Sequence, residues 1–119
     1  MIRGIGTDII EIERIAKTIE NTGFCSRYFS EKEQEYFLKK RNHPQTIAGN
    51  FAAKEAFSKA LGTGFRDMSL KDISVLRDPL GKPYIELTGN LSVMVENAKI
   101  HVSISHSEKY AVAHVIIEE

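Results

Sequence analysis

Only one cysteine, Cys25, occurs in the 119 residues, so no intrachain disulfide can form and a reducing cytosol is the expected compartment. Neither sign of charge is in excess, because sixteen Lys and Arg balance sixteen Asp and Glu. That balance argues against a nucleic-acid partner, and any charged partner must be recognised through a local patch. No stretch approaches the ~20 apolar residues needed to span a membrane. The first residues, Met1-Ile2-Arg3-Gly4-Ile5-Gly6, lack the apolar run and small-residue cleavage site of a signal peptide. Paired CxxC, HxxxH and HExxH spacings are missing, so zinc is not indicated. There is no Walker loop, no Gly-x-Ser-x-Gly elbow, no internal repeat and no linker-like tract. What remains is 42% apolar and 27% charged residues, which predicts one soluble, cytoplasmic domain over residues 1–119.

The chain is organised around Phe51-Ala52-Ala53-Lys54-Glu55-Ala56-Phe57-Ser58-Lys59-Ala60-Leu61-Gly62-Thr63-Gly64. Ala, Leu, Lys and Glu predict a helix, which Gly62 should cap and which should begin at Pro44 or Gln45. At about 100° per residue, Ala53, Ala56, Phe57, Ala60 and Leu61 share an apolar arc. Glu55 and Lys59 share another sector beside Ala48 and Ala52. Two readings stand: an i,i+4 surface ion pair, or a charged site bordered by methyl groups.

Upstream, Ile2 to Ile12 reads as a buried strand, interrupted by Asp8 on the face of Gly6 and Ile10. A carboxylate there needs a cation or donors; capping the next helix and pairing with an internal Arg or Lys are the alternatives. Glu11 to Glu20 is helical, with Ile12, Ile15, Ala16 and Ile19 inward, and Asn21-Thr22-Gly23 ends it. Arg14 and Lys17 lie off that stripe, as solvated charges or as a small basic strip. Ser30 and Glu33 form a capping box for a helix to about Lys40, with Phe37 and Leu38 as apolar contacts. Residues 72–76 and 84–87 read as strands joined by a turn containing Pro79, Gly81, Lys82 and Pro83. Asn90 to Ala98 is a short helix, and Ile100 to Ile117 two strands around Ser107-Glu108-Lys109. His106 ends the first of them, either as a structural or solvated histidine or as part of a site. The order β-α-α-α-β-β-α-β-β predicts an α+β fold, a mostly antiparallel sheet with packed helices.

Asp8 and Glu55 suit a hard divalent cation such as Mg²⁺, which takes one or two carboxylates and leaves positions for water and phosphate. Lys59 could neutralise a phosphate oxygen, and the amides of Gly62, Thr63 and Gly64 could approach another. The C-terminal end of a helix repels anions, so side-chain cations must do most of that work. Residue chemistry thus reaches a candidate Mg²⁺–phosphate site.

Four segments carry a resemblance: Gly4 to Ile15, Phe51 to Gly64, Gly81-Lys82-Pro83, and His101-Val102-Ser103-Ile104-Ser105-His106-Ser107. In order and spacing the chain resembles the small phosphopantetheinyl transferases of the holo-[acyl-carrier-protein] synthase type. The resemblance implies the 4′-phosphopantetheinyl transferase fold and transfer of 4′-phosphopantetheine from coenzyme A to a serine of apo-acyl carrier protein, in support of fatty acid biosynthesis. It implies Mg²⁺ on Asp8 and Glu55, with catalytic roles for Glu55, Lys59 and His106. Glu55, or a water on the metal, would take the serine proton. Coenzyme contacts fall on Lys59, Gly62, Thr63, Gly64, Lys82, Pro83, His106 and Ser107, and carrier contacts on Arg14, Lys17 and Arg27. It further implies a homotrimer with sites between subunits. Two positions depart from the pattern: Asn50 stands where many relatives have Arg, and Gly23 where they have a basic residue. Two other readings are a coenzyme A-binding module without transferase activity and a structural trimer that binds acidic proteins.

Overall fold

The computed structural model describes residues 1–62 and 69–119. Strand β1 (Ile2–Glu11) leads into helices α1 (Ile12–Thr18), α2 (Phe24–Tyr28), α3 (Glu31–Lys39) and α4 (Pro44–Leu61). A 3₁₀ turn at Leu70–Asp72 precedes β2 (Ile73–Arg77), β3 (Pro83–Leu87), α5 (Asn90–Met94), β4 (Lys99–His106) and β5 (Tyr110–Glu118). All pairings are antiparallel, in two sheets of order β1-β5-β4 and β2-β3. The α+β class is as expected, with the strands divided between two sheets rather than joined in one.

Helix α4 is the axis of the molecule and packs against β1, β5, β4, β2 and α1. Pro44 pre-sets its first turn, His43 caps it by accepting from the Gln45 amide at 3.3 Å, and Gly62 ends it at φ 85°. Its expected apolar arc is buried, and so are Ile47, Ala48, Asn50, Ala52, Lys54 and Ser58. This near-complete burial is why its sequence shows little amphipathic contrast.

Strand β1 differs from the buried strand expected of its isoleucines. Ile5 and Ile9 are 61% and 62% exposed on one face, while the other face lies on α4. On that inner face a Cβ at Gly6 would stand 1.8 Å from the Ala56 carbonyl oxygen, and one at Gly4 1.9 Å from that of Ala60. Strand and helix backbones therefore approach more closely than any side chain permits. Two further differences concern the helical layer. Phe24–Tyr28 is a short helix that polar breakers had concealed, entered through Gly23 at φ 103°. Leu38, expected inward, is 67% exposed because the helix turns Phe37 to the core instead.

Beneath this layer lies a buried polar network. The Ser30–Glu33 capping box forms as expected. The Glu33 carboxylate also pairs with the Lys54 ammonium, both fully buried, and accepts from Asn50 Nδ2 at 3.0 Å. Lys54 donates to the carbonyls of Tyr28 at 2.7 Å and Leu70 at 2.9 Å, over the face of Phe29. Burial pushes the Glu33 carboxyl up and the Lys54 ammonium down, and their mutual attraction opposes both shifts. Asn50 Nδ2 also donates to the Val75 carbonyl, and the Asn50 oxygen accepts from Arg77 at 2.9 Å. No helix among the described residues is long and apolar enough to cross a membrane.

Gly6→Ala should drive β1 and α4 apart and cost about 3 kcal/mol in urea unfolding. A loss under about 0.5 kcal/mol would show that the close approach is not required.

Candidate functional site

The close packing of β1 on α4 brings Asp8, on the inner face of β1, to the helix flank that carries Glu55 and Lys59. Lys59 Nζ lies 2.9 Å from Asp8 Oδ1 and 3.1 Å from the Thr7 carbonyl. The lysine therefore pairs across elements with Asp8, and no i,i+4 bridge to Glu55 forms. Asp8 does not cap α1 either, since that helix has no side-chain cap. The pairing leaves one oxygen over: Asp8 Oδ2 is buried and, among the described residues, has no hydrogen-bond partner. Glu55 is close enough to feel it. Burial first and the Asp8 charge second raise the Glu55 carboxyl above the ordinary glutamate range, with Lys59 opposing.

An orphaned carboxylate oxygen near a second, partly desolvated carboxyl fits a hard divalent cation. Among the described residues no group of three or more His, Cys, Asp or Glu gathers. Asp8 and Glu55 could together offer such a cation two carboxylates.

His106 lies elsewhere. It ends β4 against the first turn of α4, with Nδ1 2.8 Å from Gln45 Nε2. With the Gln45 amide donating, Nδ1 accepts. From Gln45 to Glu55 the helix rises about 15 Å. One chain thus carries two separate clusters: Asp8, Glu55 and Lys59, and His106 with Gln45. The contact with Gln45 had no sequence signal beyond helix register.

Other expected residues scatter around these clusters. Lys82 is exposed in the β2–β3 turn, its amide donating to Asp78 Oδ1 at 2.9 Å, and Pro83 pairs with Arg77 across the ladder. Ser107 is engaged locally with Tyr110. Gly62 is the α4 cap, and Thr63 and Gly64 lie outside the described residues. Arg14 lines a cavity of about 240 Å³ with Ile10, Ile15, Phe24 and Phe51, one helical turn of α4 from Glu55. Lys17 is exposed 3.8 Å from Glu13, and Arg27 is exposed in the last turn of α2. Lys54, Asn50 and Arg77 were missed as a connected group, because nothing in the sequence links positions 33, 54 and 77.

Comparison with known proteins gives one consistent result. The model of the 4′-phosphopantetheinyl transferase superfamily (ACPS) matches residues 4–115. A holo-[acyl-carrier-protein] synthase of Clostridium botulinum (strain Eklund 17B / Type B) is 58% identical over 121 residues, covering 99% of this chain and 98% of that protein. The fold matches the crystal structure of a Bacillus anthracis holo-(acyl-carrier-protein) synthase in complex with CoA (3′,5′-ADP). That match has a TM-score of 0.84 and 40% identity over 100% of this chain and 98% of the other. The synthase of Neisseria meningitidis matches with a TM-score of 0.92 and 36% identity over the whole of both chains. Fold and sequence agree: the chain belongs to the 4′-phosphopantetheinyl transferase superfamily.

Proposed function

We propose that this chain, as one domain, transfers 4′-phosphopantetheine from coenzyme A to a serine of apo-acyl carrier protein, releasing adenosine 3′,5′-bisphosphate and supporting fatty acid biosynthesis in the cytoplasm. The observation that carries the reading is the Asp8–Glu55–Lys59 cluster, with its orphaned Asp8 oxygen, in a chain of this family. Asp8 Oδ2 and Glu55 would hold Mg²⁺, which when bound supplies charge neutralisation to the coenzyme's pyrophosphate.

The chain's own residues do the rest. Lys59, tethered to Asp8 and the Thr7 carbonyl, presents a fixed cation to the reacting phosphate. Glu55, whose carboxyl burial pushes above the ordinary glutamate range, is suited when ionised to take the serine proton. As the serine oxygen bonds to the β-phosphorus, the bond from that phosphorus to the bridging oxygen breaks, and the bridging oxygen leaves on the nucleotide. Positioning and charge, rather than covalent catalysis, dominate such a transfer. The apolar cavity rimmed by Arg14 lies beside this cluster and suits the carrier protein, with Lys17 and Arg27 adding positive charge.

His106 and the turn bearing Lys82 and Pro83 would complete the coenzyme site of a neighbouring copy. What supports this for His106 is its place against Gln45, about 15 Å along α4 from Glu55. The outer face of the three-stranded sheet, with Ile5 and Ile9 exposed, suits burial against other copies in a homotrimer.

Three tests follow from this reading. Without metal, the raised Glu55 carboxyl opposes folding when ionised, so the stability present while it is neutral is lost as pH rises from the ordinary glutamate range through the folded-state value. Glu55→Gln should therefore match the parent's Tm below the ordinary glutamate range and exceed it increasingly above. Mg²⁺ should raise the Tm of the parent alone, and Asp8→Asn and Glu55→Gln should lose activity by orders of magnitude. A full Mg²⁺-dependent Tm shift in either variant would remove the pair from metal binding.

Sedimentation should show a trimer, and mixing unfolded Asp8→Asn and His106→Ala chains before refolding should restore part of the activity each lacks alone. A fully active monomer would place both clusters in one chain's site.

Lys59→Met should lower kcat about 10²–10³-fold with a small change in KM, because the charge it meets develops in the transition state. Lys59→Arg should rescue poorly, since a flat guanidinium does not replace a compact ammonium. A kcat for Lys59→Met within twofold of the parent would return the residue to a surface role.

A further inference from the structure

The three-stranded sheet lays one face on α4 and leaves the other open. On the open face the register sets His114 of β5 between Thr7 of β1 and Ser103 of β4. Ile5 and Ile9 border this rank on β1, and Val112 and Ile116 border it on β5. His114 is therefore the middle residue of the middle strand, and it is exposed. Its Nδ1 lies 2.8 Å from Thr7 Oγ1. The carbonyl of the same threonine accepts from Lys59, so one residue of β1 joins the open face to the acidic cluster.

Charge is kept to the ends of this face. Lys99, His101 and Glu118 lie toward one end, with Arg3 paired to Glu119 beyond them, and Glu11 and Tyr110 lie toward the other. Helix α4 packs on the opposite face and brings no charge to this one. His101 Nε2 is 2.9 Å from Glu118 Oε1, a hydrogen bond that holds the Glu118 carboxyl below the ordinary glutamate range. A protonated His101 thus has a carboxylate at hand. His114 has none: among the described residues it makes no ion pair, and its neighbours across the strands carry hydroxyls. A neutral centre with charge at the rim suits packing on further copies of the chain, because residues near a rotation axis meet their own copies.

We infer that His114 is a pH switch on self-association: neutral imidazoles let the copies close on one another, and protonated ones hold them apart. The inference rests on the homotrimer reading above and adds the condition under which that trimer forms. Histidine changes charge between about pH 5 and 8. In the separate chain water solvates the exposed imidazolium. In the assembly the same charge is buried among isoleucines and beside its own copies, with no acid to pair with it. The assembled state therefore binds fewer protons than the separate chains, so raising the pH favours assembly and lowering it through the histidine range disperses it. With three imidazoles kept neutral, the trimer's formation constant falls up to about 10³-fold for each pH unit below that range. Because the proposed active site draws on two copies, transfer falls with the trimer.

Sedimentation of the full chain at one protein concentration, at about pH 8 and about pH 5.5, tests the switch, with circular dichroism to check that the chain stays folded. The parent should run as a trimer at the higher pH and as smaller species at the lower. His114→Gln, which stays neutral and can still bond to Thr7, should run as a trimer at both. His114→Lys should be folded but dispersed at both. His101→Gln should follow the parent, because Glu118 balances the His101 charge. Part of the activity lost at the lower pH should return as protein concentration is raised, which protonation of Glu55 alone would not allow. A parent that is trimeric at both pH values, a His114→Gln variant that disperses as the parent does, or a trimeric His114→Lys at the higher pH overturns the switch and leaves the trimer reading standing. A parent that is monomeric and fully active at both removes trimer and switch together. A parent that disperses as expected yet transfers nothing from coenzyme A keeps the switch, and only the transferase reading falls.

Discussion

Backbone touching backbone is the contact on which the site depends. Gly4 and Gly6 let β1 lie against the carbonyls of Ala56 and Ala60 with no side chain between them. Because alternate residues of a strand share a face, the next inward position after Gly6 is Asp8. Its carboxylate is thereby delivered to the flank of α4 where Glu55 and Lys59 emerge. A wider spacing would leave Asp8 in solvent and Lys59 without its second anchor on the Thr7 carbonyl. The packing also creates the site's electrostatic tension, since one Asp8 oxygen is sealed from water while the lysine reaches only the other.

A second constraint acts on the opposite side of α4. Glu33, Lys54 and Asn50 tie the start of α3, the end of α2, the 3₁₀ turn and β2 to one helix. Burying such a pair gains little net energy over apolar packing, but removing one partner strands a charge and is expensive. Its value here is rotational: with Asn50 and Lys54 locked on one side, Glu55 and Lys59 must present the other. The same network turns Arg77 from a strand-end surface residue into a mounted cation.

The division of chemistry within one chain follows from α4 being long and buried along most of its length. The helix rises about 15 Å between Gln45 and Glu55. His106 is held at one end and the acidic cluster at the other. The exposed isoleucines of β1 are apolar residues on a sheet face that the chain's own helices leave uncovered.

Much of this was legible in the residues, because local chemistry determines it. The Ser30–Glu33 box, Pro44 and Gly62 mark helix ends through hydrogen bonds and dihedral angles confined to a few neighbours. Alternation in residues 111–117 reveals which face of β5 is buried, and the Asp8–Glu55–Lys59 set is recognisable from spacing and family resemblance. The short helix at Phe24–Tyr28 escaped notice, as five residues among polar breakers have almost no periodicity to read. The exposure of Ile5 and Ile9 escaped too, since an isoleucine-rich strand looks alike whether its outer face meets its own core or another chain. Only the tertiary structure decided that Lys59 pairs with Asp8 rather than Glu55, that Lys54 is buried on Glu33, and that Arg77 rests on Asn50. The physical reason is common to all three: a long side chain chooses its partner by distance in space, and positions 51, 21 and 27 residues apart become neighbours only when the elements pack.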